Sequence, residues 1–106
     1  LITEADCIPD HYSKDINGKI IAIDPKVLKP EFQRADRQLY YVTGGFGASA
    51  NSRGSAVFCT NLHTGKSTRY ERMDVMGEVK PERLPEWAKE KAQELLHKKR
   101  NKDKQR

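Results

Sequence analysis

Gln38-Leu39-Tyr40-Tyr41-Val42-Thr43, then after a glycine-rich break Ser55-Ala56-Val57-Phe58-Cys59-Thr60-Asn61-Leu62, the turn His63-Thr64-Gly65-Lys66 and Ser67-Thr68-Arg69-Tyr70-Glu71-Arg72, decide the architecture of this chain. The first run is continuous in aromatic and β-branched residues, which predicts a strand buried or half-buried on both faces. The second alternates, with Ala56, Phe58, Thr60 and Leu62 on one face and Val57, Cys59 and Asn61 on the other. Gly65 is free to take positive φ, so the third run is expected to return as the hairpin partner of the second.

Outward from this centre the signals weaken but agree. The turn dipeptide Asn17-Gly18 precedes Lys19-Ile20-Ile21-Ala22-Ile23, a short β-branched strand that Asp24-Pro25 ends. Pro25 to Phe32 has room for one helical turn, since Pro25 suits a first helical position and Pro30 stops what began. Val75 to Val79 predicts a last short strand bent at Gly77. Four or five antiparallel strands in so short a chain are expected to curl into a strongly bent sheet or small incomplete β-barrel. From Leu84 the period changes: Leu84, Trp87, Ala88, Ala92, Leu95 and Leu96 recur at spacings of three and four, which predicts an amphipathic helix over 85–97. A helix of that length is marginal alone and must bury its stripe against the sheet. The fold class is therefore α+β: an irregular entry segment over 1–17, with a turn starting at Thr3, one β-rich domain over 18–97, and a basic disordered tail over 98–106.

With 106 residues, 36% apolar and 33% charged, the chain has material for a single small core and not for separate cofactor and substrate domains. No apolar run approaches a membrane span and no signal-peptide pattern is present, which predicts a cytoplasmic protein that does not enter membranes. A first residue of Leu1 in place of methionine leads us to expect a segment of something longer.

The net charge of +5 is not evenly spread. Residues 1–88 carry 12 basic and 12 acidic side chains, so the surplus belongs to the C-terminal end, with Lys98, Lys99, Arg100, Lys102, Lys104 and Arg106 clustered there. Such a block attracts polyanions, although cations also suit the negative end of a helix. Tyr40, Tyr41, Arg69, Tyr70 and Arg72 interleave aromatics and guanidinium groups on neighbouring strands, the composition that sheet-based single-strand binders use for stacking and phosphate contact. Nucleic acid is accordingly the first expected partner, through Arg69, Arg72 and the tail. The bland account is that a tyrosine fills the core and the arginines pair with Glu71, Asp74 or Glu78.

The loop Gly44-Gly45-Phe46-Gly47 to Arg53-Gly54 offers a second contact surface, for an unidentified protein. Its backbone N–H groups could line an anion nest with Arg53, but no lysine stands at P-loop spacing and a strand follows instead of a helix. A connection with Gly44 or Gly45 as a bulge is the structural account. Two Cys–His pairs, Cys7 with His11 and Cys59 with His63, match a zinc ligand set in number. Four strand residues, however, separate Cys59 from His63 by about 13 Å, and metal ligands must lie far closer. Cys59 is expected to be a small core residue, a thiol nucleophile lacks an orienting group beside His63, and neither metal nor cofactor is expected.

The run Gln38 to Gly47, with Ser52 to Phe58, Arg72 to Gly77 and the preceding Val27 to Phe32, resembles small uncharacterised modules in proteins encoded by conjugative and other mobile elements of Gram-positive bacteria. The resemblance implies an accessory setting in DNA transfer or host adaptation and transfers no functional residues. The expected function is a non-catalytic binding module with nucleic-acid affinity; a protein-interaction module using residues 44–54 or a strand edge is the alternative, and a thiol-dependent enzyme the third.

Overall fold

The computed structural model describes residues 1–9, 14–49 and 54–104, the last seven as backbone alone. Five antiparallel strands form: β1 (Ile20–Ile23), β2 (Leu39–Gly44), β3 (Ala56–Asn61), β4 (Ser67–Glu71) and β5 (Val75–Glu78), in the order β4-β3-β2-β1-β5. Consecutive strands β1 to β4 are neighbours in register, with Ile21 opposite Tyr40, Val42 opposite Cys59 and Phe58 opposite Arg69. The bulge expected beside the glycines lies between Val42 and Gly44. A second irregularity falls between Ala22 and Ile23, where β5 carries Gly77 at φ 146°.

The order of strands contains the constraint that shapes the sheet. β4 and β5 lie at opposite edges, yet only Arg72–Asp74, one 3₁₀ turn, stands between them. Across a flat sheet those edges would be four strand spacings, about 19 Å, apart. The link from Glu71 to Val75 reaches at most about 14 Å. The sheet is therefore rolled, and its concave face gathers Ile21 and Ile23 (β1), Tyr40 and Val42 (β2), Val57 and Cys59 (β3) and Val75 (β5) into one cluster, with Tyr70 of β4 packed against it. The β4–β5 pairing that would close a barrel is not made.

Loops finish the inner core. Ile16 enters from the segment before β1, Leu28 from the 3₁₀ turn Pro25–Val27, and Ala48 from the turn Phe46–Ala48. Arg72, placed by sequence on a basic face, is only 7% exposed. Its guanidinium donates to the carbonyl oxygens of Gly47 at 2.6 Å and Lys14 at 2.9 Å, tying the β4–β5 link to two loops.

The convex face carries the second core: Ala22, Leu39, Tyr41, Leu62 and Val79 from the sheet side, Cys7 from the N-terminal segment, and Ala88 of the single α-helix α1 (Glu86–Lys104). Trp87, Ala92 and Leu95 pack against it, as the spacing predicts. Pro85 caps the helix, its carbonyl oxygen accepting from Ala88 and Lys89. The helix does not stop at His97; its backbone continues to Lys104 through residues that include neither glycine nor proline, where the sequence reading expects a disordered tail. The turn expected at Thr3 forms over Glu4–Asp6, with the Thr3 N–H donating to the Asp6 carboxylate. That N-terminal segment is built into the domain. Cys7 bridges to Val79, and the buried Gln38 side chain imitates a strand neighbour for Ile2, accepting from its N–H at 2.8 Å and donating to its carbonyl oxygen at 3.1 Å. The same Gln38 amide also donates to the Ile23 carbonyl oxygen, so all three strand-like bonds depend on one side chain.

The glycine-rich loop is packed rather than splayed. A Cβ on Gly47 would collide with the Ser55 carbonyl oxygen, and one on Gly45, at φ 104°, with that of Ala56. Gly44 has nothing within 4 Å of such an atom. Gly47→Ala is therefore expected to lower stability by about 3 kcal/mol or more, because backbone must move to admit the methyl, whereas Gly44→Ala changes it by well under about 1 kcal/mol. Urea unfolding of the two variants beside the parent checks the contrast; equal midpoints would remove the close-packing account.

Candidate nucleic-acid interface

Where the rolled sheet stays open beside β4, a cavity of about 450 Å³ is left. Its lining comes from separate parts of the chain. Lys29 and Phe32 belong to the segment leaving β1, which two proline-initiated turns, Pro25–Val27 and Pro30–Phe32, hold in place. Proline at the first position of each turn presets φ and lacks the N–H that would be left over, so these irregular residues keep a defined shape. Arg37 and Tyr40 come from the start of β2, Lys66 from the β3–β4 turn, and Thr68 and Tyr70 from the inner face of β4.

The deepest part is aromatic and polar at once. Tyr40 and Tyr70 meet edge to face, ring centres 5.3 Å apart, with their hydroxyls 3.0 Å from one another. One phenol donates to the other, and the accepting hydroxyl keeps its own proton to offer. Burial, together with the Tyr40 hydroxyl, pushes Tyr70 well above the ordinary tyrosine range, so it stays a neutral donor at physiological pH. Phe32 forms the outer aromatic wall. The Arg37 guanidinium sits over its ring, 5.2 Å from the centre, a cation–π contact. Arg37 Nε is buried without a hydrogen-bond partner, a deficit that ordinarily costs about 1–3 kcal/mol unless a ligand or water supplies an acceptor.

The walls are held by the protein's own hydrogen bonds. Asn61 donates from its side-chain amide to the Arg37 carbonyl oxygen, and its side-chain oxygen accepts from the N–H groups of His63 and Thr64 at 2.8 and 2.9 Å. One buried asparagine thus fixes the β3–β4 turn, and with it Lys66, against the start of β2. The lining holds three cations, Lys29, Arg37 and Lys66, and no carboxylate among the described residues. In a chain where acidic and basic side chains balance over residues 1–88, that segregation gives the cavity a local positive field for an anion.

The residues singled out by sequence are distributed differently. Tyr40 and Tyr70 do come together with cations, but those cations are lysines and Arg37. Arg69 points from the opposite face of β4, exposed and paired with Glu71 at 3.2 Å. Arg72 is committed to backbone carbonyls, and Tyr41 belongs to the convex core. Lys98, Lys99, Arg100, Lys102 and Lys104 fall on the last turns of α1, while Arg106, Arg53 and His11 lie outside the described residues. Among the described residues of the glycine loop Phe46 projects, 76% exposed, while Gly44 and Gly45 are half-buried and Gly47 is buried. Lys29, Phe32, Arg37 and Lys66 carried no signal of their own in the sequence, being scattered in segments without a period.

Cys7 and Cys59 lie in the convex and concave cores respectively, so the sheet stands between them and neither a shared metal ion nor a disulfide joins them. His63 turns away from Cys59, its ring edge-on to Trp87 at 5.9 Å and its Nδ1 3.8 Å from Asp36. No cluster of metal-ligating side chains occurs among the described residues. No described helix is long and apolar enough to cross a membrane. Compared with protein-family models, curated proteins and solved structures, the chain matches none.

Burial, aided by Asp6 and Glu4, raises the Cys7 thiol from its ordinary 9.0 to about 11, and burial alone raises Cys59 to about 12. Thiolate is the reactive form, so native labelling by iodoacetamide is expected to stay slow throughout pH 6 to 8, with full labelling only in denaturant. The folded chain holds thiol protons that the unfolded chain releases above about pH 9. Stability is unaffected by these groups below that point and declines as pH rises from 9 towards 11 and 12. A urea midpoint that stays constant from pH 8 to 11 would contradict this.

Proposed function

We propose that this chain is a non-catalytic binding module that holds single-stranded nucleic acid in the groove beside β4. The observation that carries the reading is the groove's composition: Lys29, Arg37 and Lys66 without a carboxylate, around Phe32, Tyr40 and Tyr70. Cations take the phosphates, and aromatic faces take bases that a duplex would keep stacked, so single strands are favoured over duplex. The cation block at the end of α1 adds sequence-independent attraction and raises the encounter rate. Thiols buried and held as neutral SH groups favour binding over thiol catalysis. Reduced Cys7 and Cys59 suit a cytoplasmic setting, and the likeness to mobile-element modules favours an accessory role in DNA transfer for such a binder.

One observation favours a protein partner instead. Phe46 is 76% exposed on a turn whose flanking glycines are locked against β3, a rigid apolar projection of the kind that anchors an interface.

Fluorescence anisotropy of the full chain with single-stranded and duplex DNA across a salt series separates the readings. Single-stranded affinity is expected to fall steeply with salt, and Lys29→Gln combined with Lys66→Gln should flatten the log–log slope by about 1.4, roughly 0.7 for each phosphate no longer neutralised. Phe46→Ser should leave that slope unchanged. Salt-independent binding, or none at low salt, would turn attention to Phe46 and a protein.

A further inference from the structure

We infer that the groove beside β4 is a seat for one phosphorylated nucleoside unit, with Lys29, Arg37 and Lys66 drawing the phosphate and Phe32 with Tyr70 receiving the base. This deepens the nucleic-acid reading above and rests on it. Size supplies the first argument. A cavity of about 450 Å³ lies near the lower end of the roughly 300–1,000 Å³ typical of small-molecule clefts, room for one nucleotide and too little for a stacked run of bases.

The donor inventory supplies the second. An Arg37 Nε that is buried and unpaired, and a phenol proton left over from the Tyr40–Tyr70 pair, are donors with no acceptor among the described residues. A phosphate or a base carbonyl supplies acceptors to both, and Arg37 can donate to such an acceptor while still stacked on Phe32. Rigidity supplies the third. The Asn61 clamp and the two proline turns hold opposite sides of the groove before any ligand arrives, so little ordering remains to oppose binding of so small a ligand. A surface that merely tracked a long backbone would spread its cations along the sheet; here they converge on one cavity with an aromatic wall. The strand would accordingly be gripped at one splayed or terminal nucleotide, its remaining phosphates meeting only exposed cations.

The test titrates the full chain, followed by amide NMR, with four probes: thymidine monophosphate, thymidine, inorganic phosphate and a single-stranded thymidine oligomer. The expected result is saturable shifts from the monophosphate centred on Lys66, Thr68 and Tyr70. Thymidine and inorganic phosphate should each bind about tenfold more weakly or worse, because each offers only one of the two recognised groups. Lys29→Gln with Lys66→Gln, both surface changes that leave the fold intact, should weaken the monophosphate by about tenfold. If the oligomer shifts the groove amides while the monophosphate does not, the single-nucleotide seat is overturned and the strand-binding reading stands. Failure of both probes overturns both readings. Equal binding of inorganic phosphate and monophosphate shows a plain anion site and removes the nucleoside from the proposal.

Discussion

Everything in this molecule follows from the shortness of the link between β4 and β5. Two strands at opposite edges, joined by Arg72, Met73 and Asp74, cannot belong to a flat sheet, and rolling is the only arrangement that satisfies both the strand order and the covalent chain. The roll creates a concave face narrow enough for a handful of aliphatic side chains to fill. It also obliges the link itself to be anchored. Arg72 does this from inside, giving two N–H groups to carbonyls of loops that no strand neighbour could reach. An arginine suits the position because its planar fork serves two acceptors at once, while its aliphatic stem lies along apolar surface.

The elements were legible in the sequence because their signals are local. Continuous burial of Leu39 to Val42, alternation from Val57 to Leu62, and the three-and-four spacing of Trp87, Ala88, Ala92 and Leu95 are each decided by the facing surfaces, and the structure puts those surfaces where the period says. The misplacements have one physical origin. Arg72 reads as an exposed strand residue until the strand order is known; only then does its place at the crossing of two edges make it interior. The residues of the groove are the same kind of case. Lys29 and Phe32 lie in proline-punctuated turns and Lys66 in a hairpin, and no periodicity relates them to Tyr70. The available signal was Tyr40 and Tyr70, which the sequence reading places on neighbouring strands; β3 in fact lies between β2 and β4, and the rolling of the sheet brings the two rings together beside cations that no sequence spacing links to them.

The glycine stretch shows how composition misleads. Glycine among small polar residues suggests freedom, and a loop free to move. In the structure, Gly45 and Gly47 permit close approach, allowing the loop to lie against the main chain of β3 and bring Ala48 into the inner core and the Gly47 carbonyl to Arg72. The exposed Phe46 is held by that packing, a side chain on a rigid mount.

Tyr40 and Tyr41 are neighbours in the chain and serve opposite sides of the domain. One ring lies in the floor of the groove and the other packs among the side chains beneath α1. The partition between those two sides is a single layer of peptide, and β2, the middle strand of the five, is flanked on both edges by partners that hold it in place. The floor of the groove and the seat of the helix are therefore two faces of one short stretch of backbone, divided by nothing more than two consecutive residues pointing apart.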